Sequence, residues 1–248
     1  MNGFPGGVRL RMLLRSFTIQ GSWNYETLIG AGFAYTILPA LRHLYGKEGD
    51  ALEKSVERHE ELFNSHPYFV TVAVGAVSRL EQMGADPAVV VRFKTALRGS
   101  LGSMGDRLIW SAWRPMSLLI GLVLLLAGAA WWLAVAVFLV VYNALHLAVR
   151  VKGLQLGTEA GFDIGRVLKE SPLQLVIDAA SRFASFLVGV AVVLAAAPIY
   201  QDRGAALLVG TAIVLGAFLG TRSRRVMIAI LAGVAALALA FGVMGYGA

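Results

Sequence analysis

The chain has 248 residues, 57% of them hydrophobic and only 15% charged, with a net charge of +7 and no cysteine. A soluble domain sits near ~45–50% apolar and ~25% charged, so the composition argues against an ordinary water-soluble enzyme and for an integral membrane protein. Without cysteine there is no disulfide, thiolate nucleophile or sulfur-ligated metal. The basic residues gather at the ends of apolar runs, as the positive-inside rule expects, and no stripe mixes them with aromatics, so no nucleic-acid partner is expected.

Taken in chain order, the first apolar stretch is short and studded with Arg9, Arg11 and Arg15, which does not read as a cleavable signal peptide. "QGSWNYE" at 20–26 follows. Gln20, Asn24 and Glu26 with Trp23 and Tyr25 combine hydrogen-bonding groups with flat apolar faces, as a sugar site needs. A helix cap with interfacial aromatics is the alternative, and composition alone favours it for Trp23. "LIGAGFAYTILPAL" and "PYFVTVAVGAV" are apolar but short, and read as core or re-entrant helices punctuated by Pro39 and Pro67. Between them, "GDALEKSVERHEELF" reads as a solvated amphipathic helix. Asp50 is its expected N-cap, Glu53 closes a capping box, and Leu52, Val56 and Phe63 lie near one face, with Glu57, Arg58, Glu60 and Glu61 outward. "ADPAVVVRFKTALRG" starts a second helix with Asp86 as cap and Pro87 at its first position. Its Arg92, Lys94 and Arg98 suit a cytoplasmic membrane surface.

"SLGSMGDRLIWSAWRP" (100–115) is rich in glycine and precedes a long apolar run. It lacks the Gly-Lys-Ser/Thr of a Walker loop and the spacing of a dinucleotide fingerprint. It is expected to be irregular and re-entrant. Gly105, Asp106 and Arg107 then mark either a membrane pathway or a plain cytoplasmic loop, and local chemistry leaves both open. The run from Met116 to Leu145 is long for one span and short for two. A hairpin bending near Gly128 is favoured over one tilted helix. Beyond a polar connector at about 147–181, residues 183–201 and 204–221 form two spans. The Arg222, Arg224 and Arg225 cluster forms a cytoplasmic loop, and a final span follows. The sequence thus divides into residues 1–115, with cytoplasmic or interfacial helices and the glycine-rich loop, and residues 116–248, a transmembrane region.

No catalytic constellation is visible. His43, His59, His66 and His146 are scattered, which predicts no metal site, and no Gly-x-Ser-x-Gly elbow occurs. His59 reads as structural, and His146 as a helix-end residue near the interface. No cofactor is expected.

Several blocks in one order resemble the IID membrane subunit of the mannose/fructose/sorbose-type sugar phosphotransferase system. "LLRSFTIQGSWNYETLIGAGFAYTILPALRHLY" matches through Arg15, Gln20 to Asn24, Gly32, Pro39 and Tyr45. "RHEELFNSHPYF" matches through Arg58, His59, Phe63, Asn64 and Pro67. The 100–115 stretch with the preceding Gly99 matches through Gly99, Leu101, Gly105, Asp106, Trp110, Arg114 and Pro115. "YNALHLAVRVKGLQLGTEAGFDI" matches through Asn143, Arg150, Gly153, Gly157 and Gly161. Departures are Ser100, Ser103 and Arg107, where the family carries proline, glycine and proline, and a shorter polar region before the last spans.

The resemblance implies an all-α, polytopic membrane protein with amphipathic and re-entrant helices in its N-terminal half. It implies a bacterial cytoplasmic-membrane location with a cytoplasmic N-terminus. It further implies pairing with a IIC subunit, trimers of such pairs, and delivery of a hexose for phosphorylation by a IIB phosphocarrier, with no phosphate carried on IID itself. Gln20, Trp23, Asn24, Asn64, Gly105, Asp106 and Arg114 become the expected substrate or pathway residues, and Asn143 and Arg150 the expected interface residues. A divergent IID acting as a regulatory or structural partner, without efficient transport, is the alternative that Arg107 and the shortened region motivate.

Overall fold

A computed structural model describes residues 3–196. They form helices α1 (Gly6–Ser16), α2 (Gly30–Tyr45), α3 (Asp50–Glu60), α4 (Val70–Gln82) and α5 (Pro87–Gly105), a π-helical segment (Asp106–Trp113), then α6 (Arg114–Leu126) and α7 (Trp131–Ala160). A 3-10 turn (Gly161–Asp163), α8 (Ile164–Glu170) and α9 (Leu173–Ala196) follow. The fold is all-α, and two helical stretches, Pro87–Leu126 and Trp131–Ala195, are long and apolar enough to cross a membrane. The expected external turn, return span, Arg222–Arg225 loop and last span lie outside the described residues.

The chain divides into two compact units. Among the described residues, one comprises 3–111 and 142–174 and the other 112–141 and 175–196. The first is organised around α4, which is buried from Val70 through Ser78. A helix apolar on all sides belongs at a centre. Helix α2 packs on it and buries Phe33, Ile37, Ala40 and Leu41, all at most 2% exposed and spaced along one face. Pro39 lies inside α2 and removes the N–H that would reach the Tyr35 carbonyl. The Arg15 guanidinium fills that vacancy at 3.0 Å and lies 4.3 Å from the Tyr35 ring centroid. Helix α7 crosses α4 at Gly157. A Cβ there would sit 2.7 Å from the Ala76 amide nitrogen, so only glycine permits the approach.

The second unit contains a helical hairpin, as the run from Met116 favoured. Gly128, at φ 87°, follows the end of α6. Its N–H reaches the Leu125 carbonyl while the Ala129 N–H reaches that of Leu124, the bonding pattern that a left-handed glycine gives a helix end. Gly121 then lies against α7, where a Cβ would be 3.3 Å from the Ala134 carbonyl oxygen. The Trp113 indole N–H donates to the Val141 carbonyl across the hairpin.

Several local expectations are corrected. Asp50 is the first residue of α3 and its side chain caps nothing, because the Gly49 carbonyl already accepts from the Leu52 and Glu53 N–H groups. The inward face of α3 is Leu52, Ser55 and His59, and Arg58 turns toward α4 rather than solvent. Asp86 does cap α5, accepting from the Ala88 and Val89 amides. Lys94 of that helix is buried at 1% exposure instead of facing a surface, because its ammonium finds two carbonyls, those of Arg58 at 2.8 Å and His59 at 3.2 Å. Residues 100–115 are helical, not an irregular loop. Their glycines allow close packing, and the π turns before Pro115 absorb the hydrogen bond that proline cannot make. His146 sits within α7, not at its end.

Candidate functional site

The segment between α1 and α2 is a stack of turns held by one side chain. The Asn24 Oδ1 accepts from the Glu26 and Thr27 amides, both at 2.9 Å. Its Nδ2 donates to the Thr27 hydroxyl and the Ser22 carbonyl. This is how asparagine nucleates a turn. The turn feeds into a short backbone pairing with residue 63, in which Phe63 N–H donates to Thr27 O at 3.1 Å and Ile29 N–H to Phe63 O at 3.0 Å. Phe63 is fully buried against Phe33. The pairing therefore fixes the polar residues of the twenties beside Asn64, Ser65 and His66.

The third wall comes from α5 and the π segment. Gly102 and Gly105 face Ser65 and His66, and a Cβ on Gly105 would fall on the His66 side chain. The three pieces enclose a cleft of about 670 Å³ within the first unit, lined among others by Gln20, Trp23, Asn64, Arg98, Asp106 and Trp110. Trp23 and Trp110 are 47% and 46% exposed. The cleft thus offers amides, a carboxylate and a guanidinium beside two accessible flat rings.

His66 forms part of the cleft wall and is 3% exposed. Its Nδ1 accepts from the Tyr68 N–H at 3.2 Å, which leaves the proton of a neutral ring on Nε2. That nitrogen and the Ser65 hydroxyl have no hydrogen-bond partner among the described residues. Burial lowers the His66 pKa from 6.5 to about 4, against the pull of the Asp106 carboxylate and with that of Arg150 and His146.

Of the residues singled out from sequence, the fold gathers Gln20, Trp23, Asn64 and Asp106 at this cleft. Asn24 and Gly105 build its walls, the first through its turn and the second by admitting His66. Arg114 is exposed at the start of α6, and Asn143 is half-buried on α7. Arg150 is 3% exposed inside the first unit. Its guanidinium donates to the Ser16 carbonyl and hydroxyl at the end of α1 and to the His146 Nε2, and the His146 ring stacks on Tyr68 at 3.8 Å. The sequence reading missed Ser65, His66, Arg98 and Trp110 as cleft residues. Trp110 is four residues after Asp106, a helical spacing that reading the stretch as a loop concealed.

A buried polar cluster braces the same unit from the other side. Glu81 accepts from Arg58 Nε and Nη2 at 2.9 and 2.8 Å, from His59 Nε2 at 2.9 Å and from the Tyr45 hydroxyl at 2.5 Å. Burial raises a carboxyl pKa, but here the hydrogen bonds from His59, Arg58 and Tyr45 prevail and hold it down at about 2. Tyr45 is pushed up to about 12 by burial and by Glu81. Burial lowers His59 despite the Glu81 hydrogen bond, so the ring is a neutral donor in the cluster. The structural role read for His59 agrees with this placement.

Residues 8–199 match the model of the mannose/fructose/sorbose family IID component of the phosphotransferase system. The mannose-specific EIID component of Escherichia coli is 31% identical over 186 residues, covering 73% of this chain and 65% of that protein; the match thus spans just under two thirds of that relative's length. The sorbose-specific EIID component of Klebsiella pneumoniae is 32% identical over 191 residues, covering 75% and 69%. The fructose permease IID component of Bacillus subtilis is 29% identical, covering 73% and 66%. Among solved structures, one described as a membrane protein superposes with a TM-score of 0.66 at 29% identity, over 75% of this chain and 69% of that one. The mannose transporter ManYZ bound to a microcin superposes at 0.61 over 99% and 97%, and at 24% identity this establishes the fold alone. The family match, spread over turns, cleft and helix crossings alike, makes this chain a member of the mannose/fructose/sorbose family of phosphotransferase-system IID membrane components.

Proposed function

We propose that this chain is the IID half of a membrane complex that takes up a hexose. It pairs with a IIC subunit, the pairs assemble as trimers, and the sugar is phosphorylated by a IIB unit. The single observation that carries the reading is the cleft, where Gln20, Asn64, Arg98 and Asp106 stand beside Trp23 and Trp110. A sugar needs donors and acceptors for its hydroxyls and a flat apolar face for its C–H surface, and about 670 Å³ is of ligand size. The membership of relatives named for mannose, sorbose and fructose supports a hexose.

In this reading Gln20, Trp23, Asn64 and Asp106 touch the sugar, while Asn24 and Gly105 shape the site. Arg114 and Asn143, off the cleft, face the IIC subunit, and Arg150 supports that surface by holding the end of α1. The chain is multi-pass in the bacterial cytoplasmic membrane with its N-terminus cytoplasmic. Residues up to about 115 work at the cytoplasmic and interfacial side, and those from 116 onward span the membrane. The regulatory alternative rests on Arg107, which lies in the π segment and donates to Gln174 at 2.7 Å, and on the shortened polar region.

The test is co-expression with IIC and IIB subunits of the same family, followed by uptake of labelled mannose, fructose and sorbose into vesicles. Uptake of one of them, and its loss on Asp106→Ala in a complex that still assembles, is the expected result. Assembly without uptake of any of them refutes the transport reading, and unchanged uptake in Asp106→Ala removes Asp106 from the site.

A further inference from the structure

Helix α1 buries one side and leaves the opposite side greasy. Met12 and Ser16 are fully buried, Met12 under the Ser78 hydroxyl of α4 and Ser16 under the Arg150 guanidinium. Leu10, Leu14 and Phe17, spaced i, i+4 and i+7 from the helix into its C-cap, are 54%, 59% and 44% exposed. At about 100° per residue, Arg9 and Arg11 emerge on either side of this apolar stripe, and both are exposed. Neither makes an ion pair among the described residues, whereas Arg15 is occupied by Tyr35. The first acidic residue of the chain is Glu26. The helix is also fixed in orientation, since Arg150 holds its last turn at the Ser16 carbonyl and hydroxyl.

We infer that this face of α1 lies in the headgroup–acyl boundary of an anionic phospholipid leaflet, with Arg9 and Arg11 on lipid phosphates and Leu10, Leu14 and Phe17 among the upper acyl carbons. A leucine stripe bracketed by arginines is the form in which long cationic side chains reach the headgroups while the apolar residues enter the lipid. Arg9 and Arg11, without an ion-pair partner among the described residues, are complementary to a negative leaflet, where each free guanidinium adds about 1 kcal/mol of attraction. A water-facing helix would gain nothing from the exposed leucines.

The chain has no cysteine, so with a cysteine-free IIC partner a single label reports cleanly. Leu14→Cys carries an environment-sensitive fluorophore in the full IIC–IID complex, reconstituted in vesicles of phosphatidylcholine with roughly 30% phosphatidylglycerol. Glu57→Cys on the exposed side of α3 is the aqueous control. Brominated acyl chains should quench the label at 14 about two-fold or more over the control, as insertion at the acyl boundary requires. Quenching should fall in pure phosphatidylcholine and in the Arg9→Gln/Arg11→Gln double variant. A label unquenched by brominated lipid, shielded by the IIC subunit or bathed in water, overturns the inference. Equal quenching with and without anionic lipid overturns the role of the arginines. Leu10→Cys carries the same measurement if Leu14→Cys fails to fold.

Discussion

The His66 imidazole rests directly on the backbone of Gly105, with no room between them for a Cβ. The contact joins the turn after Phe63 to the helix that supplies Asp106 and Trp110, so it sets the width of the cleft. Gly105→Ala forces the ring or the helix to move. Overpacking of this kind costs ~1–3 kcal/mol, more than the ~1 kcal/mol that alanine returns in helix propensity. Gly99→Ala, with nothing within 4 Å of its Cβ, keeps only the propensity gain. Thermal unfolding in detergent should place Gly105→Ala below the parent and Gly99→Ala at or above it.

Glu81→Gln tests the cluster behind the cleft. The substitution leaves Arg58 without its bidentate partner and exchanges a carboxylate for an amide that cannot accept from Tyr45, His59 and Arg58 together. Removing one member of a buried charged pair costs ~3–5 kcal/mol. The sign with pH follows from a folded-state carboxyl held at about 2 against an ordinary 4.5. The stabilisation is complete above 4.5 and fades as pH falls through 2. The gap between parent and Glu81→Gln in denaturant midpoint should therefore be wide at neutral pH and narrow in strong acid.

His66 gives the opposite end of the acid range. Its folded ring titrates near 4 against 6.5 when free, so between those values the unfolded chain binds a proton that the folded chain refuses. Stability then declines as pH drops from 6.5 toward 4, by on the order of 3 kcal/mol for a shift of that size. Buried His59 acts in the same direction. His66→Gln, which keeps an N–H donor but does not titrate, should flatten that part of the stability–pH curve while leaving the alkaline side unchanged.

Apolar periodicity and caps made the helices legible, because both signals are local. The Asp86–Pro87 start, the core helices with Pro39 and the hairpin at Gly128 were readable this way. Asp50 misled for the same reason: a good capping residue is outcompeted when the preceding glycine carbonyl is already placed to accept the first bonds. The cleft was half legible. Gln20 and Trp23 stand out as polar and aromatic residues in a turn, and Asn64 through the family resemblance, but the membership of Arg98, Ser65, His66 and Trp110 depends on how closely α5 approaches residue 66, and that is a tertiary fact. Lys94 shows the limit most plainly. A lysine among arginines reads as a surface charge, and only the open carbonyls at the end of α3 explain its burial.

Two arginines that look alike in the sequence should behave in opposite ways. Arg150 is buried and closes the last turn of α1, where the carbonyl end of a helix supplies negative potential. It also lies 4.8 Å from the Phe17 ring centroid and 5.2 Å from that of Tyr68. Arg150→Gln keeps a donor but loses both the charge and the reach, so α1 should detach, and a loss of ~2–4 kcal/mol is expected from the orphaned carbonyl and the vacated space. Arg107 is exposed, and its guanidinium donates to the Gln174 side chain. Arg107→Ala should change stability by no more than ~0.5 kcal/mol, as exposed positions generally do. Limited proteolysis near residue 17 distinguishes the two, because cleavage should accelerate in Arg150→Gln and stay at the parent rate in Arg107→Ala. A parent-like digestion pattern in Arg150→Gln would show that α1 is held by its packing on α2 alone.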